Sequence, residues 1–138
     1  MSELTVIIDA ESFPARFEIE SSPKTVEAVR RLLPYAERIK HVRWSGEACW
    51  IPLGDYEFGV PFENATRHPA PGQFILYPGG ISETEILFAY GAVSFASKAG
   101  PLAGNHFMTI TDGLDRLARL GRETLITGAK PIRLELRT

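Results

Sequence analysis

Apolar and polar residues alternate along several short segments of the chain. Residues 15–20 alternate with period two, and Ile132, Leu134 and Leu136 alternate with charged neighbours near the C-terminus. This pattern predicts strands with one buried face. Runs of β-branched and aromatic residues predict further strands. These lie at residues 4–8, 39–44, 48–51, 74–77, 85–90 and 106–110.

Two segments have helical spacing instead. Ser22 is predicted to cap a helix near residues 23–33, with Pro23 at its first position and Pro34 ending it. A second helix is predicted near residues 112–120, capped by Thr111 or Asp112 and closed by Gly121. Eight strands and two helices predict a mainly β member of the α+β class, a closed antiparallel barrel with two helices.

Length and composition narrow the class of protein. A chain of 138 residues forms one domain, here residues 1–138, and buries roughly two-thirds of its surface in one core. Its 15 basic and 17 acidic residues are scattered, so no nucleic-acid surface is expected. The first residues lack a signal-peptide pattern, and no apolar run approaches the roughly 20 residues of a membrane span. We therefore expect a cytoplasmic protein with no membrane partner.

Five segments carry a resemblance to a known family through their order and spacing. They are residues 17–33, Trp44-Ser45-Gly46-Glu47, residues 72–80, Phe88-Ala89-Tyr90-Gly91 and residues 110–114. In these segments the chain resembles the cyclophilin-like superfamily, and more closely its small uncharacterised bacterial members. The resemblance covers most of the chain and implies a cyclophilin-like barrel.

The resemblance does not extend to the residues that active cyclophilins use for prolyl isomerisation. Active cyclophilins have adjacent histidine and arginine residues on a strand after the first helix, whereas here His41 and Arg43 are separated by Val42. On a strand His41 and Arg43 would share a face, while adjacent residues point to opposite faces. The family's glutamine-glycine-glycine motif is also replaced, by Ala48-Cys49-Trp50-Ile51. We expect no prolyl-isomerase activity.

Familiar catalytic and cofactor motifs give little support to another chemistry. Cys49 lies in an apolar strand, which favours a buried structural cysteine over a nucleophile. The three histidines have no paired metal-ligand spacing, so no metal site is predicted. Pro78-Gly79-Gly80 lacks the lysine and following helix of a phosphate loop and is predicted to be a turn. The sequence indicates no cofactor.

The candidate site is predicted from the two irregular segments, residues 52–71 and 97–104. A long proline-rich loop over a rigid barrel is commonly functional, and its prolines hold it in a fixed path. Glu63 is the candidate acid or base, with His106 as its partner. We expect these side chains to converge on one polar pocket with binding residues Glu47, Trp50, Asn64, Tyr77, Tyr90 and Asn105.

Two functions from different classes remain open. A compact polar pocket favours binding, or transformation, of a small polar molecule. A broad apolar groove favours a non-catalytic module that binds a peptide or protein, as an accessory subunit of a larger assembly. Self-association into a homo-oligomer is also expected, because aromatic residues are frequent at interfaces and this chain is rich in them. The aromatic residues concerned are Trp44, Trp50, Phe58 and Phe62.

Overall fold

The computed structural model describes residues 3–137, which form a closed antiparallel eight-stranded barrel with two helices. The predicted fold class is confirmed. The helices are α1 (Pro23–Arg30) and α2 (Leu114–Thr127). The strands are β1 (Leu4–Ile8), β2 (Glu11–Phe17), β3 (Tyr35–His41), β4 (Gly46–Pro52), β5 (Ala65–Thr66), β6 (Gln73–Tyr77), β7 (Glu85–Val93), β8 (Ala96–Ser97), β9 (Gly100–Pro101), β10 (Gly104–Ile110) and β11 (Lys130–Leu136).

The barrel closes through a pairing between β2 and β10. The strand order around it is β2-β1-β11-β3-β4-β7-β6-β10, and β10 then pairs with β2 over Phe17–Met108, Arg16–Thr109 and Ala15–Ile110. Short β5 adds to β10, and β8 and β9 form a separate hairpin. Residues 94–103, which include this hairpin, lie against one side of the barrel, and we call them the covering hairpin.

Strands β4, β6 and β7 are apolar on both faces. Cys49, Ile51 and Phe88 belong to the main core inside the barrel. Alternate residues on the same strands, Trp50 and Leu87, pack with Phe95 of the covering hairpin in a second core. Because successive side chains on a strand point to opposite faces, this second core lies on the outer face of the barrel.

The two helices differ from their predicted ends for identifiable reasons. Ser22 precedes α1 as predicted, but its hydroxyl donates to the carbonyl of His106 instead of capping the helix. Gly121 does not end α2, because it lies in the helix interior against the ring of Tyr90, where a Cβ would come within 2.2 Å of that ring. The helix continues to Thr127, and Gly128 follows it.

Two strands also differ from the sequence expectation. β2 occupies residues 11–17 instead of 15–20, because its register is set by pairing with β1. β3 ends at His41, and the bend that follows occupies residues 43–45. His41 and Arg43 therefore do not share a strand face, since Arg43 lies beyond the strand. In residues 3–137 neither helix has the length and apolar character needed to cross a membrane.

Candidate functional site

Glu63 lies beside the N-terminus of α1. Its carboxylate accepts hydrogen bonds from the backbone N–H and the hydroxyl of Thr25, both at 2.7 Å. The first turn of a helix leaves N–H groups without partners and attracts negative charge. Glu63 therefore supplies the cap that Ser22 was expected to provide.

Asn105 holds the same loop from β10. Its side chain is fully buried, and its amide donates to the Thr25 hydroxyl at 3.1 Å and to the Pro61 carbonyl at 2.9 Å. Its side-chain oxygen accepts the backbone N–H of Glu63 at 3.0 Å. Asn64 donates from its side chain to the carbonyl of His106 at 3.0 Å. These bonds fix the path of the loop. They also occupy both the donor and the acceptor groups of the Asn105 side-chain amide.

His106 faces away from Glu63. It follows Asn105 on β10, so its ring lies on the opposite strand face, 2.8 Å from the Thr109 hydroxyl. That hydroxyl donates to Glu18 at 2.6 Å. Burial lowers the pKa of His106, and the nearby Glu18 carboxylate partly offsets this effect. His106 is thus not the partner of Glu63.

Tyr90 and Glu47 occupy two further places. The Tyr90 hydroxyl lies 2.8 Å from a ring nitrogen of His41, and burial raises the pKa of this tyrosine. Glu47 accepts the backbone N–H of Ala92 at 2.8 Å. The expected convergence on one cavity therefore needs correction, since Glu63, Asn64 and Asn105 lie together at the loop whereas the side chains of His106, Tyr90 and Glu47 have their partners elsewhere. A role in binding for each of them stays a prediction.

A cleft of about 200 Å³ lies on the outer face of the barrel, and we call it the outer-face cleft. It is lined by residues 42–45, Trp50, Ser82, Glu83, Glu85 and residues 96–98. Trp50 is the one residue of the expected site that lines it. Tyr77 lies close by, since it pairs with Glu85 across β6 and β7.

Hydrogen bonds fix the walls of this cleft. The Ser45 hydroxyl donates to the Ala96 carbonyl and accepts the Ala96 N–H, each at 3.0 Å, which ties the bend before β4 to the covering hairpin. The Tyr77 hydroxyl accepts the N–H groups of Ile81 and Ser82 at 2.9 and 3.3 Å, which holds the turn between β6 and β7. The walls are therefore set before any ligand arrives.

Glu85 is the most unusual group in the cleft. Its residue is 6% exposed, yet no donor or cation among residues 3–137 bonds to its carboxyl. No fully buried side-chain oxygen in this range lacks a partner, so the Glu85 oxygens reach the cleft. Burial raises the pKa of Glu85 to about 8, and the neighbouring Glu83 carboxylate adds to the rise.

The remaining polar and aromatic groups lie nearer the rim. Trp44 is 56% exposed, and Arg43, Glu83 and Lys98 are also exposed. Trp50 is half-buried. The cleft thus has a buried acid, two indole rings and solvated charges of both signs.

Sequence reasoning missed Glu85, although a signal was present. Glu85 lies two and four residues before Leu87 and Ala89, so its side chain projects from the same strand face. It is a charged residue on an otherwise apolar face. Such a residue is a candidate for function when nothing pairs with it. Arg43, Glu83 and Lys98 carry no sequence pattern, because the fold alone brings their segments together.

The described residues contain no group of three or more histidine, cysteine, aspartate or glutamate side chains that could hold a metal ion. Cys49 is buried, and burial raises the pKa of its thiol to about 12. A thiolate nucleophile at this position is therefore disfavoured at neutral pH.

The sequence profile of the family described as "Protein of unknown function (DUF3830)" matches residues 4–136. No curated protein matches the chain. Among solved structures, the chain is similar to McbB in complex with tryptophan, with a TM-score of 0.75 and 15% identity over 96% of this chain. The match covers 44% of McbB, so the chain spans less than half of that protein.

A second similar structure is the solution structure of the hypothetical protein AF2241 from Archaeoglobus fulgidus. Its TM-score is 0.61 at 14% identity, with 99% of this chain and 95% of that chain covered. At these identities the two structures show a shared fold and no more.

Proposed function

The chain belongs to the DUF3830 family, and we propose that it binds a small polar molecule in the outer-face cleft. The observation that carries this proposal is Glu85, a buried carboxyl that has no partner among residues 3–137 and opens into a cleft with fixed walls. Because this carboxyl is largely removed from water, a ligand that donates to its oxygens replaces few water contacts and gains a well-placed hydrogen bond.

The size and lining of the cleft suit a small metabolite. Its volume of about 200 Å³ is below the roughly 300–1,000 Å³ of drug-sized sites. Trp44 and Trp50 offer flat apolar surfaces, while Glu85 and the Ser45 region offer polar contacts. McbB, which has a similar fold, was solved with tryptophan, so tryptophan and other amino acids are suitable first probes.

The two tryptophans make the test specific. They are the chain's only tryptophans and both line the cleft, so the two indole N–H signals of a ¹⁵N spectrum report on this site. We expect a panel of amino acids, amines and small carboxylic acids to include compounds that shift both signals saturably at about 1 mM. Amide signals of α1 serve as the control and stay unchanged. If no compound moves either indole signal, the proposal is wrong.

The alternative function, a peptide-binding or protein-binding module, is favoured by a different surface. Phe62 and Ile81 are 55% and 75% exposed, and with Leu102 they line a shallow, largely apolar depression of about 390 Å³. Among the described residues, no buried polar group without a partner lies there, so we place this function second. Peptides that shift backbone signals of this depression, with both indole signals unchanged, would favour it.

Three further assignments belong to this proposal. The order of eight strands and two helices supports a place in the cyclophilin-like superfamily. A bacterial origin and a cytoplasmic location are proposed from the sequence alone. Scattered charges support the expectation that nucleic acid is not a partner. Homo-oligomer formation is supported by the exposed side chains of Phe62 and Ile81 in the apolar depression.

A further inference from the structure

We infer that the outer-face cleft selects ligands that carry an ammonium group, and that this group pairs with the carboxylate of Glu85. The inference rests on the binding function proposed above. It adds the chemical class of the ligand and the residue that recognises it.

The surroundings of Glu85 explain why a ligand must supply the partner. Glu85 lies opposite Pro52 on β4, whose side chain has no donor, and opposite Tyr77 on β6. The Tyr77 hydroxyl lies against the N–H groups of Ile81 and Ser82 and makes no bond to Glu85. An ammonium group offers three donors and the opposite charge, which makes it a strong partner for a buried carboxylate.

The other groups of the cleft favour a cation at the same place. Glu83 adds a second carboxylate to the lining, and it is near enough to Glu85 to affect its titration. The indole rings of Trp44 and Trp50 attract cations through their π faces. A primary amine attached to a flat apolar body satisfies these groups together.

Arg43 and Lys98 present the competing possibility, a ligand with an anionic group. Both side chains are exposed, so water already solvates their charges and they gain little from an exposed ion pair. Glu85 is buried and gains most from a partner of opposite charge. The difference in burial therefore decides for an ammonium at Glu85, with the rim cations free to contact a carboxylate on the same ligand.

Binding should release a proton. Burial and the Glu83 carboxylate raise the pKa of Glu85 to about 8, so at pH 7 the empty cleft holds the neutral acid. The charged groups that line the cleft with it are Glu83, Arg43 and Lys98. When the ammonium enters, the Glu85 O–H bond breaks, its proton passes to water, and the ammonium N–H donates to the carboxylate. The affinity for an amine should then rise by up to about tenfold per pH unit between pH 6 and 7.5.

Three matched probes test this inference: benzylamine, benzyl alcohol and benzoate. They share a ring and differ in charge. We expect benzylamine to shift both indole signals with an affinity at least about tenfold above benzyl alcohol or benzoate, as a charge-assisted bond predicts. Glu85→Gln should reduce benzylamine affinity by about tenfold or more. Glu20→Gln, which alters an exposed carboxylate outside the cleft, should leave it unchanged.

The unmodified protein supplies a second readout if Glu85→Gln fails to fold. Calorimetry at pH 7 in buffers of different ionisation enthalpy should show release of close to one proton per benzylamine bound. If benzoate or benzyl alcohol shifts the indole signals as strongly as benzylamine, or if amine affinity falls from pH 6 to 7.5, the ligand class is wrong and the binding function stands. If neither these probes nor the wider panel moves the indole signals, both proposals fail.

Discussion

Glu63 and Glu85 offer a comparison between two carboxyl groups held in non-exposed positions. Glu63 comes from the long proline-rich loop, and its carboxylate accepts two hydrogen bonds from Thr25 at the start of α1. Glu85 begins an apolar strand, and no donor among residues 3–137 reaches it. The loop residue stabilises the fold, whereas the strand residue has capacity left for a ligand. A carboxyl group's availability thus depends on its partners more than on its place in a loop.

The largest effect expected from this comparison is on the pH dependence of stability. Glu85 has a pKa of about 8 in the native state, above the value of about 4.3 expected for unfolded glutamate. The native state therefore retains a proton that the unfolded state loses, and stability falls as pH rises between these two values. Glu85→Gln removes this loss. Urea unfolding should show the variant gaining roughly 2–4 kcal/mol relative to the unmodified protein between pH 4.5 and 9.

Glu20→Gln is the matched control, because Glu20 is exposed and lies outside the cleft. Its free energy of unfolding should follow that of the unmodified protein across the same pH range. Parallel pH profiles for Glu85→Gln and the unmodified protein would contradict the raised pKa and remove the contrast with Glu63.

The second effect has the opposite sign. Glu63→Ala removes the acceptor for the Thr25 N–H and hydroxyl, so we expect a loss of about 1–2 kcal/mol of unfolding free energy. Glu63→Gln keeps an acceptor oxygen and should lose less. Urea unfolding at pH 7 measures both variants. The indole signals and their response to benzylamine should be unaffected, and a loss of amine binding in Glu63→Ala would revive the loop site.

An exposed aromatic residue lies near each of the two carboxyl groups. We expect these two aromatic residues to contribute unequally to self-association. Phe62 precedes Glu63 and lines an apolar depression, whereas Trp44 lines the polar cleft. We expect Phe62→Ser to weaken association several-fold and Trp44→Ser to change it little, since apolar contacts dominate interface cores. Sedimentation at tens of micromolar provides the measurement. A protein that is monomeric throughout this range would refute the oligomer prediction.

The smallest effect is expected for prolyl isomerisation. Arg43 lies in the bend after β3 at the exposed rim of the cleft, beside no histidine of an isomerase motif. A protease-coupled assay with proline peptides should show no acceleration above background, and Arg43→Ala should make no difference. Catalysis that disappears in Arg43→Ala would show that this rim forms an isomerase site.

Much of the barrel was predictable because local patterns and long-range pairing agree. Strand β11 alternates Ile132 and Leu134 with polar residues, and its register with β1 and β3 buries that face. Gly121 shows where local patterns fail. A glycine after a helical run usually ends the helix, but here it makes room for Tyr90, and that contact cannot be read from the sequence around Gly121.

The site was less predictable, for a related physical reason. The proline-rich loop is irregular as predicted, apart from Pro52 at the end of β4 and the two residues of β5, and Trp50 does line the cleft. The role of Glu63 depends on Thr25 and Asn105, which are distant in sequence. The cleft likewise requires the covering hairpin to reach Ser45 across the outer face. Sequence patterns report the face of a residue, whereas these contacts depend on how distant segments pack.

The closed barrel has a consequence for aggregation. Each of its eight strands has a neighbour on both sides, so none offers a full row of unpaired backbone groups to another chain. Among the strand pairings of the barrel within residues 3–137, the one between β3 and β4 is the shortest, with Lys40 opposite Trp50 and His41 opposite Cys49. Growth of amyloid-like or domain-swapped assemblies by strand addition must first separate two paired strands, and this pair has the fewest paired residues to separate. Protection of its amides against hydrogen exchange would therefore report how well the native protein resists such conversion.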